Sequence, residues 1–147
     1  MSQPSSFVCR TVQDFVPKDH PLRDLSELID QVLGALNDLF DTLYSLHGKP
    51  SIPPEGLLRA KFLQVLYTLR SERQLCEHIN YNMLYRWFVG LELEDAMWDH
   101  STFSKSRDRL LPQEVIAEFF DQVFQIARER ELLSEKHFSV DGTLIDA

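Results

Sequence analysis

Basic side chains in the middle of the chain are the first candidates for chemistry, because lysine and arginine neutralise nucleic-acid phosphates. Residues 57–90 carry five basic and two acidic groups, whereas all 147 residues together have a net charge of −8. The candidates are Arg70, Arg73, Arg86, Lys105, Arg107 and Arg109. Two short helices separated by a break, with cations on their outer faces, would suit a helix-turn-helix reader of DNA. Charge alone favours the alternative, a solvated helix face.

A carboxylate near the end of the chain is the second candidate. Asp141 follows a segment of alternating apolar residues and precedes Gly142 and Thr143. Metal-dependent phosphoryl-transfer folds place a Mg²⁺ ligand at such a position, because hard cations prefer carboxylate oxygens on rigid elements. The spacing alone favours a simple Asp-Gly turn instead. Asp146 is interpreted as an exposed carboxylate.

Three further patterns favour structural roles. Cys76 and His78 form half of a metal site without a second pair, so a zinc site is not expected. The adjacent residues Asp99–Ser101 cannot form a catalytic relay and are better explained as a helix cap. The five glycines are scattered, so there is no glycine-rich phosphate loop.

The composition is that of a globular protein, with 44% hydrophobic and 26% charged residues. No apolar run approaches the roughly 18 residues that a membrane-spanning helix needs. The N-terminus lacks the basic start and apolar segment of a signal peptide. Two widely spaced cysteines are expected to be reduced thiols, so we expect a cytoplasmic protein.

The apolar spacing predicts the elements that carry these side chains. Residues 1–20, punctuated by three prolines, are expected to form an arm. It would pack through Phe7, Val8, Phe15 and Val16. Apolar residues at steps of three and four predict one long helix over Leu22–Leu46, ended by Gly48 and Pro50.

Shorter helices are predicted next. A mostly buried helix would begin at Pro53–Pro54, and Ser71–Gln74 matches a capping box that opens a helix to about Ile79. Asn80–Asn82 is the expected break before a segment Met83–Val89, which Gly90 would close.

The last predicted helices carry three of the cations. Asp99 or Ser101 is expected to cap a helix with one inner and one outer face. Phe103, Ser106 and Leu110 would point inward, and Lys105, Arg107 and Arg109 outward. The final helix would run from Pro112 to about Leu133, with a period-two segment His137–Ile145 after it.

The predicted fold is mostly α: a bundle of about six helices with a helix-turn-helix-like central part, ending in one strand or hairpin. We expect an arm over residues 1–20, a helical domain over 21–134, and a β element over 135–147. A single strand or hairpin is marginal alone, so this ending indicates the first piece of a truncated α/β domain.

Three ordered segments carry a family resemblance. Tyr85–Leu91 reads YRWFVGL, Trp98–Leu110 reads WDHSTFSKSRDRL, and Phe138–Ile145 reads FSVDGTLI. Together they resemble the N-terminal helical domain and first catalytic strand of bacterial DDE transposases of insertion-sequence family five. The resemblance covers roughly residues 15–147.

The resemblance implies roles for the candidate residues. Asp141 would be the first acidic residue of the DDE triad, which holds Mg²⁺ in a ribonuclease-H-like core. The second Asp and the Glu would lie further downstream, so we expect no catalysis, and no cofactor, for this polypeptide alone. The expected partner is the double-stranded DNA of terminal inverted repeats, contacted first by Lys105, Arg107 and Arg109, then by Arg70, Arg73 and Arg86.

Two alternatives remain. The Leu22–Leu46 stripe could be an oligomerisation surface, which would make the chain an interaction module that inhibits full-length transposase. The chain could also be an inert pseudogene product.

Overall fold

The computed structural model describes residues 10–48, 52–96 and 98–132. These residues form seven α-helices and one short 3-10 helix, without any strand, which confirms the mostly α prediction. The 3-10 helix spans Val12–Phe15, and the α-helices are α1 (Pro21–Ala35), α2 (Asn37–His47), α3 (Pro54–Leu66), α4 (Glu72–Tyr81), α5 (Met83–Val89), α6 (His100–Leu110) and α7 (Gln113–Glu129). The predicted β element, with Asp141 and Asp146, lies outside the described residues, as do Phe7 and Val8.

One hydrophobic core joins these helices. Helix α3 lies at its centre, and eight of its 13 residues are buried. The Phe62 ring centroid is 6.0 Å from that of Phe88, 6.1 Å from that of Phe120 and 5.7 Å from that of Phe124. Aromatic rings at such separations add to the stabilisation from burying their apolar surface. The core therefore ties α3 to α5 and α7.

The single long helix predicted over Leu22–Leu46 is interrupted at Leu36 and forms two helices, α1 and α2, so the prediction of one continuous helix was wrong. The chain leaves helical geometry at Leu36, where φ is −98° and ψ is 7°. Gly34 and Asn37 flank the break, and both are poorer helix formers than alanine. Gly48, at φ +73°, ends α2 as predicted.

The apolar stripe of α1 is part of the chain's own core. Six of its residues are at most 7% exposed: Leu22, Leu25, Leu28, Ile29, Val32 and Leu33. This half of the stripe is therefore covered from within, whereas Leu46 on α2 is 71% exposed. If the predicted Leu22–Leu46 stripe includes an oligomerisation surface, that surface lies on α2 and not on α1.

The break between α4 and α5 is shorter than predicted. Asn80 and Tyr81 belong to α4, and only Asn82 separates the two helices. Its side-chain oxygen accepts a hydrogen bond from the Leu84 amide at 2.9 Å and so caps α5. The expected three-residue turn of a helix-turn-helix is therefore not present between them.

Two caps and one helix end refine the predictions. Ser71 Oγ accepts a hydrogen bond from the Gln74 amide at 3.1 Å, as in a capping box. The Gln74 side chain accepts from the Arg70 amide instead of the Ser71 amide, so the box is only half formed. Helix α7 begins after Pro112 as predicted but ends at Glu129, four residues before Leu133.

Candidate nucleic-acid interface

Helix α6 presents one polar face to solvent. Phe103 and Leu110 lie on its opposite side and are at most 1% exposed. The exposed positions follow the helical repeat and are Ser101, Thr102, Lys105, Asp108 and Arg109. We call these five residues the polar stripe of α6. Its hydroxyl, ammonium and guanidinium groups can donate hydrogen bonds to base edges and to phosphates, and its carboxylate can accept them from base amino groups.

The N-terminus of α6 is fixed by three neighbours. The Asp99 carboxylate accepts hydrogen bonds from the Ser101 and Thr102 amides at 3.1 and 3.3 Å, which confirms the predicted cap. The Asn80 side chain donates to the Trp98 carbonyl at 2.9 Å and accepts from the Trp98 amide at 3.0 Å. A Cβ at Gly56 would lie 3.3 Å from the Trp98 ring, so this glycine allows the ring to pack closely. The start of α6 is therefore held by α4 and α3.

A carboxylate that sequence reasoning missed holds the middle of α6. Glu72, the first residue of α4, accepts hydrogen bonds from Ser104 Oγ at 2.6 Å and from Arg107 Nη2 at 3.1 Å. Arg107 Nε also donates to this carboxylate, and Lys61 Nζ of α3 lies 3.3 Å from it. We call these four residues the Glu72 cluster. It joins α3, α4 and α6.

The Glu72 cluster corrects the predicted orientation of Arg107. This side chain is 29% exposed and turns toward Glu72 rather than outward with Lys105. Burial by itself would raise the pKa of Glu72, but hydrogen bonds from Arg107 and Ser104 and the charge of Lys61 lower it. Glu72 is therefore held ionised. The one signal in the sequence was a glutamate in the first turn after the Ser71 cap.

The structure separates Arg86 from the other candidate cations. Arg86 is only 6% exposed, and its guanidinium donates to the backbone carbonyls of Asn80 at 3.1 Å, Glu92 at 2.6 Å and Asp95 at 3.4 Å. It thus connects the end of α4 to the loop before α6. This arrangement is that of a structural arginine.

The other two cations are on the surface around the start of α4. Arg70 precedes α4 and Arg73 lies in its first turn, and both are exposed. Helix α4 packs directly against α6. The structure therefore brings Arg70 and Arg73 to an element that adjoins the polar stripe.

Cys76 and His78 belong to no metal-binding group in the part of the chain that the structure describes. Cys76 is a buried thiol, and burial raises its pKa to about 12. Within the described ranges, no group of three or more Cys, His, Asp or Glu residues could hold a metal ion.

None of the described helices is long and apolar enough to cross a membrane.

The comparison with known families identifies the class of protein to which the chain belongs. Residues 10–109 match the transposase domain family DUF772. This segment covers more than half of the chain, and it ends at the last cation of the polar stripe. The chain belongs to this transposase domain family. No curated protein and no solved structure matches it.

Proposed function

We propose that this helical domain binds element-end DNA for a DDE transposase of insertion-sequence family five. In this proposal, the polar stripe of α6 contacts the terminal inverted repeats. The observation that carries it is an exposed, polar, partly cationic helix face within a transposase domain. The family membership supplies the context, because transposases act on DNA.

Helix α6 is a better DNA-contacting helix than α5. A helix that enters the major groove needs an uncovered polar face along most of its length. Tyr85, Arg86, Phe88 and Val89 fill most of the seven-residue α5 and are buried. By contrast, most of α6 is polar, and it is anchored by only two fully buried side chains.

The electrostatics predict moderate, salt-dependent binding. The whole chain is acidic, with a net charge of −8, so distant parts of the protein repel DNA. Lys105, Arg109, Arg70 and Arg73 supply the local attraction. If each neutralises one phosphate, log K should fall with log salt with a slope of about −3.6. On the same stripe, Asp108 can accept a hydrogen bond from cytosine N4, a contact that carries sequence information.

A pair of charge-matched double variants tests this proposal. The probe is a pool of duplexes with randomised centres, from which the wild-type chain retains its preferred sequences. We expect K105A/R109A to weaken binding to the retained duplex and to reduce the salt slope by about two. The control K18A/R128A removes two exposed cations, one in the turn before α1 and one on α7, and should leave both quantities near wild type. Equal effects of the two variants would refute the assignment to α6.

The catalytic chemistry is a separate part of the proposal. By resemblance, Asp141 would be the first of three acidic residues around Mg²⁺, which would activate the attacking oxygen and stabilise the leaving oxygen. One triad carboxylate cannot hold such a pair of ions. We therefore expect these 147 residues to bind a supercoiled plasmid in Mg²⁺ without nicking it. Nicking that an Asp141→Asn variant abolishes would contradict this expectation.

Oligomerisation is the second candidate, and Leu46 is the residue at which we would test it. An apolar side chain that is 71% exposed on α2 could pack against a second copy of the chain. Sedimentation equilibrium distinguishes the two candidates. A dimer that lacks DNA affinity and is dissociated by Leu46→Lys would support the interaction module over the DNA-binding domain.

A further inference from the structure

Among the described residues, Glu72 is the one side chain that joins the three helices α3, α4 and α6 through hydrogen bonds between charged or polar groups. It bonds Ser104 and Arg107, which are one helical turn apart on α6, and it contacts Lys61 on α3. Its side chain is 15% exposed. Hydrogen bonds that involve charged groups are short and directional, so this cluster fixes an angle as well as a distance.

The apolar contacts of α6 constrain that angle less sharply than the cluster does. Phe103 and Leu110 are seven residues apart and bury α6 against the core, but hydrophobic contact is not directional. Rotation of α6 about its axis is opposed by the bonds to Ser104 and Arg107 in its middle. Contacts to base edges require positions held to about 0.5 Å and 10–20°. A rotation of α6 would therefore change sequence discrimination before it changed general attraction to phosphate.

The same cluster also controls one positive charge. Arg107 lies two residues from Lys105 and Arg109 but is bonded to Glu72 and to Asp108. While these bonds hold, the positive charge of Arg107 is neutralised by two carboxylates, the half-buried Glu72 and the exposed Asp108 of the polar stripe. Without the Glu72 charge, only the solvent-exposed Asp108 would compete for Arg107, which could then reach a phosphate, and such a contact carries no sequence information.

We propose that Glu72 is a positioning residue that sets the sequence discrimination of the DNA interface by orienting α6 and keeping Arg107 from binding phosphate. This inference rests on the proposed function. It predicts an unusual combination: neutralising Glu72 should weaken selectivity while it strengthens binding to unrelated DNA. A merely structural role predicts that both affinities fall together.

The experiment compares two isosteric substitutions on one helix. Glu72→Gln removes the charge of the cluster, whereas Glu77→Gln removes an equal charge from an exposed position of α4. The full chain is titrated with the duplex retained from the randomised pool and with a fixed unrelated duplex of the same length, at several salt concentrations. Circular dichroism establishes that each variant is folded. The readouts are the ratio of the two affinities and the salt slope for the unrelated duplex.

We expect Glu72→Gln to lower the affinity ratio at least about fivefold, which is the discrimination of roughly one base pair. Its salt slope should steepen by about one, because Arg107 gains a phosphate. Adding Arg107→Gln should return the slope to that of wild type without restoring the ratio. Glu77→Gln should leave the ratio unchanged.

Other outcomes distinguish a failure of the Glu72 role from a failure of the proposed DNA binding. If Glu72→Gln and Glu77→Gln have the same ratio and slope, the role of Glu72 is overturned while the DNA-binding proposal stands. If the wild-type chain retains no duplex from the pool, the proposed function and this inference both fail. Should Glu72→Gln not fold, Arg107→Gln alone keeps the test decisive: an unchanged affinity ratio would contradict the inference.

Discussion

Replacing Arg86 tests whether this buried arginine stabilises the fold, unlike the exposed cations. The side chain is 6% exposed, and two of its three bonds to carbonyl oxygens, at 3.1 and 2.6 Å, are well within hydrogen-bonding distance. Each bond from a charged donor contributes about 1.5–3 kcal/mol, and the third, at 3.4 Å, contributes little. The loop carbonyls can partly regain water when the arginine is lost. We therefore expect Arg86→Met to lower the free energy of unfolding by about 3 kcal/mol.

The size of this effect makes it easy to measure. In a chain of this length, about 3 kcal/mol should lower Tm by about 6–12 °C. Urea denaturation followed by circular dichroism at constant pH gives the free energy, and a thermal melt gives Tm. Arg86→Lys should lose about 2 kcal/mol, because one ammonium cannot reproduce the planar fork of a guanidinium. Arg73→Ala, on the exposed face of α4, is the matched surface control and should stay within about 0.5 kcal/mol of wild type.

The reverse pattern would contradict a structural role for Arg86. If Arg86→Met kept the stability of wild type but lost DNA affinity, Arg86 would be a surface contact, as we first expected from the family resemblance. If Arg73→Ala destabilised the fold as much as Arg86→Met, burial would not be the deciding variable.

Three further predictions concern single residues. The pKa of Glu72 is lower in the folded chain than in the unfolded chain, so ionised Glu72 stabilises the fold. This stabilisation is complete above the unfolded pKa and is lost as the pH falls through the folded pKa. The free energy of unfolding should therefore decrease below about pH 4.5, and Glu72→Gln should reduce that decrease. Gly90→Ala should destabilise the chain by about 1–2 kcal/mol in urea, because φ is +95° at the end of α5 and no neighbouring atom would gain contact. Cys76 is buried and its pKa is raised to about 12, so it should resist iodoacetamide at pH 8 in the native chain and react in urea. Mass spectrometry of the labelled peptide measures this, and rapid labelling of the native chain would contradict its burial.

Features that depend on a few neighbouring residues could be predicted from the sequence. Pro54 and Pro112 mark the starts of α3 and α7, and Gly48 and Gly90 end α2 and α5. Prolines fit the first turn of a helix, and glycine adopts positive φ without a steric cost, so each signal is local. The interruption at Leu36 was missed because the apolar period continues through it.

The roles of the arginines could not be predicted, because they depend on distant contacts. Arg107 meets Glu72 across 35 residues of sequence, and helical spacing alone placed its side chain outward. Arg86 is satisfied by backbone carbonyl oxygens, which every residue carries and which leave no mark in the sequence. Lys105 needed no such partner and is exposed, as its position on α6 predicted.

The most direct test of the account is to map DNA contacts by NMR on the full chain. Backbone amide shifts would be recorded with and without the duplex retained from the randomised pool. We expect the largest changes at Ser101, Thr102, Lys105 and Arg109, with small changes across α5. Unchanged α6 amides, combined with large changes on α5 or α7 in a saturable complex, would contradict the claim that α6 contacts DNA.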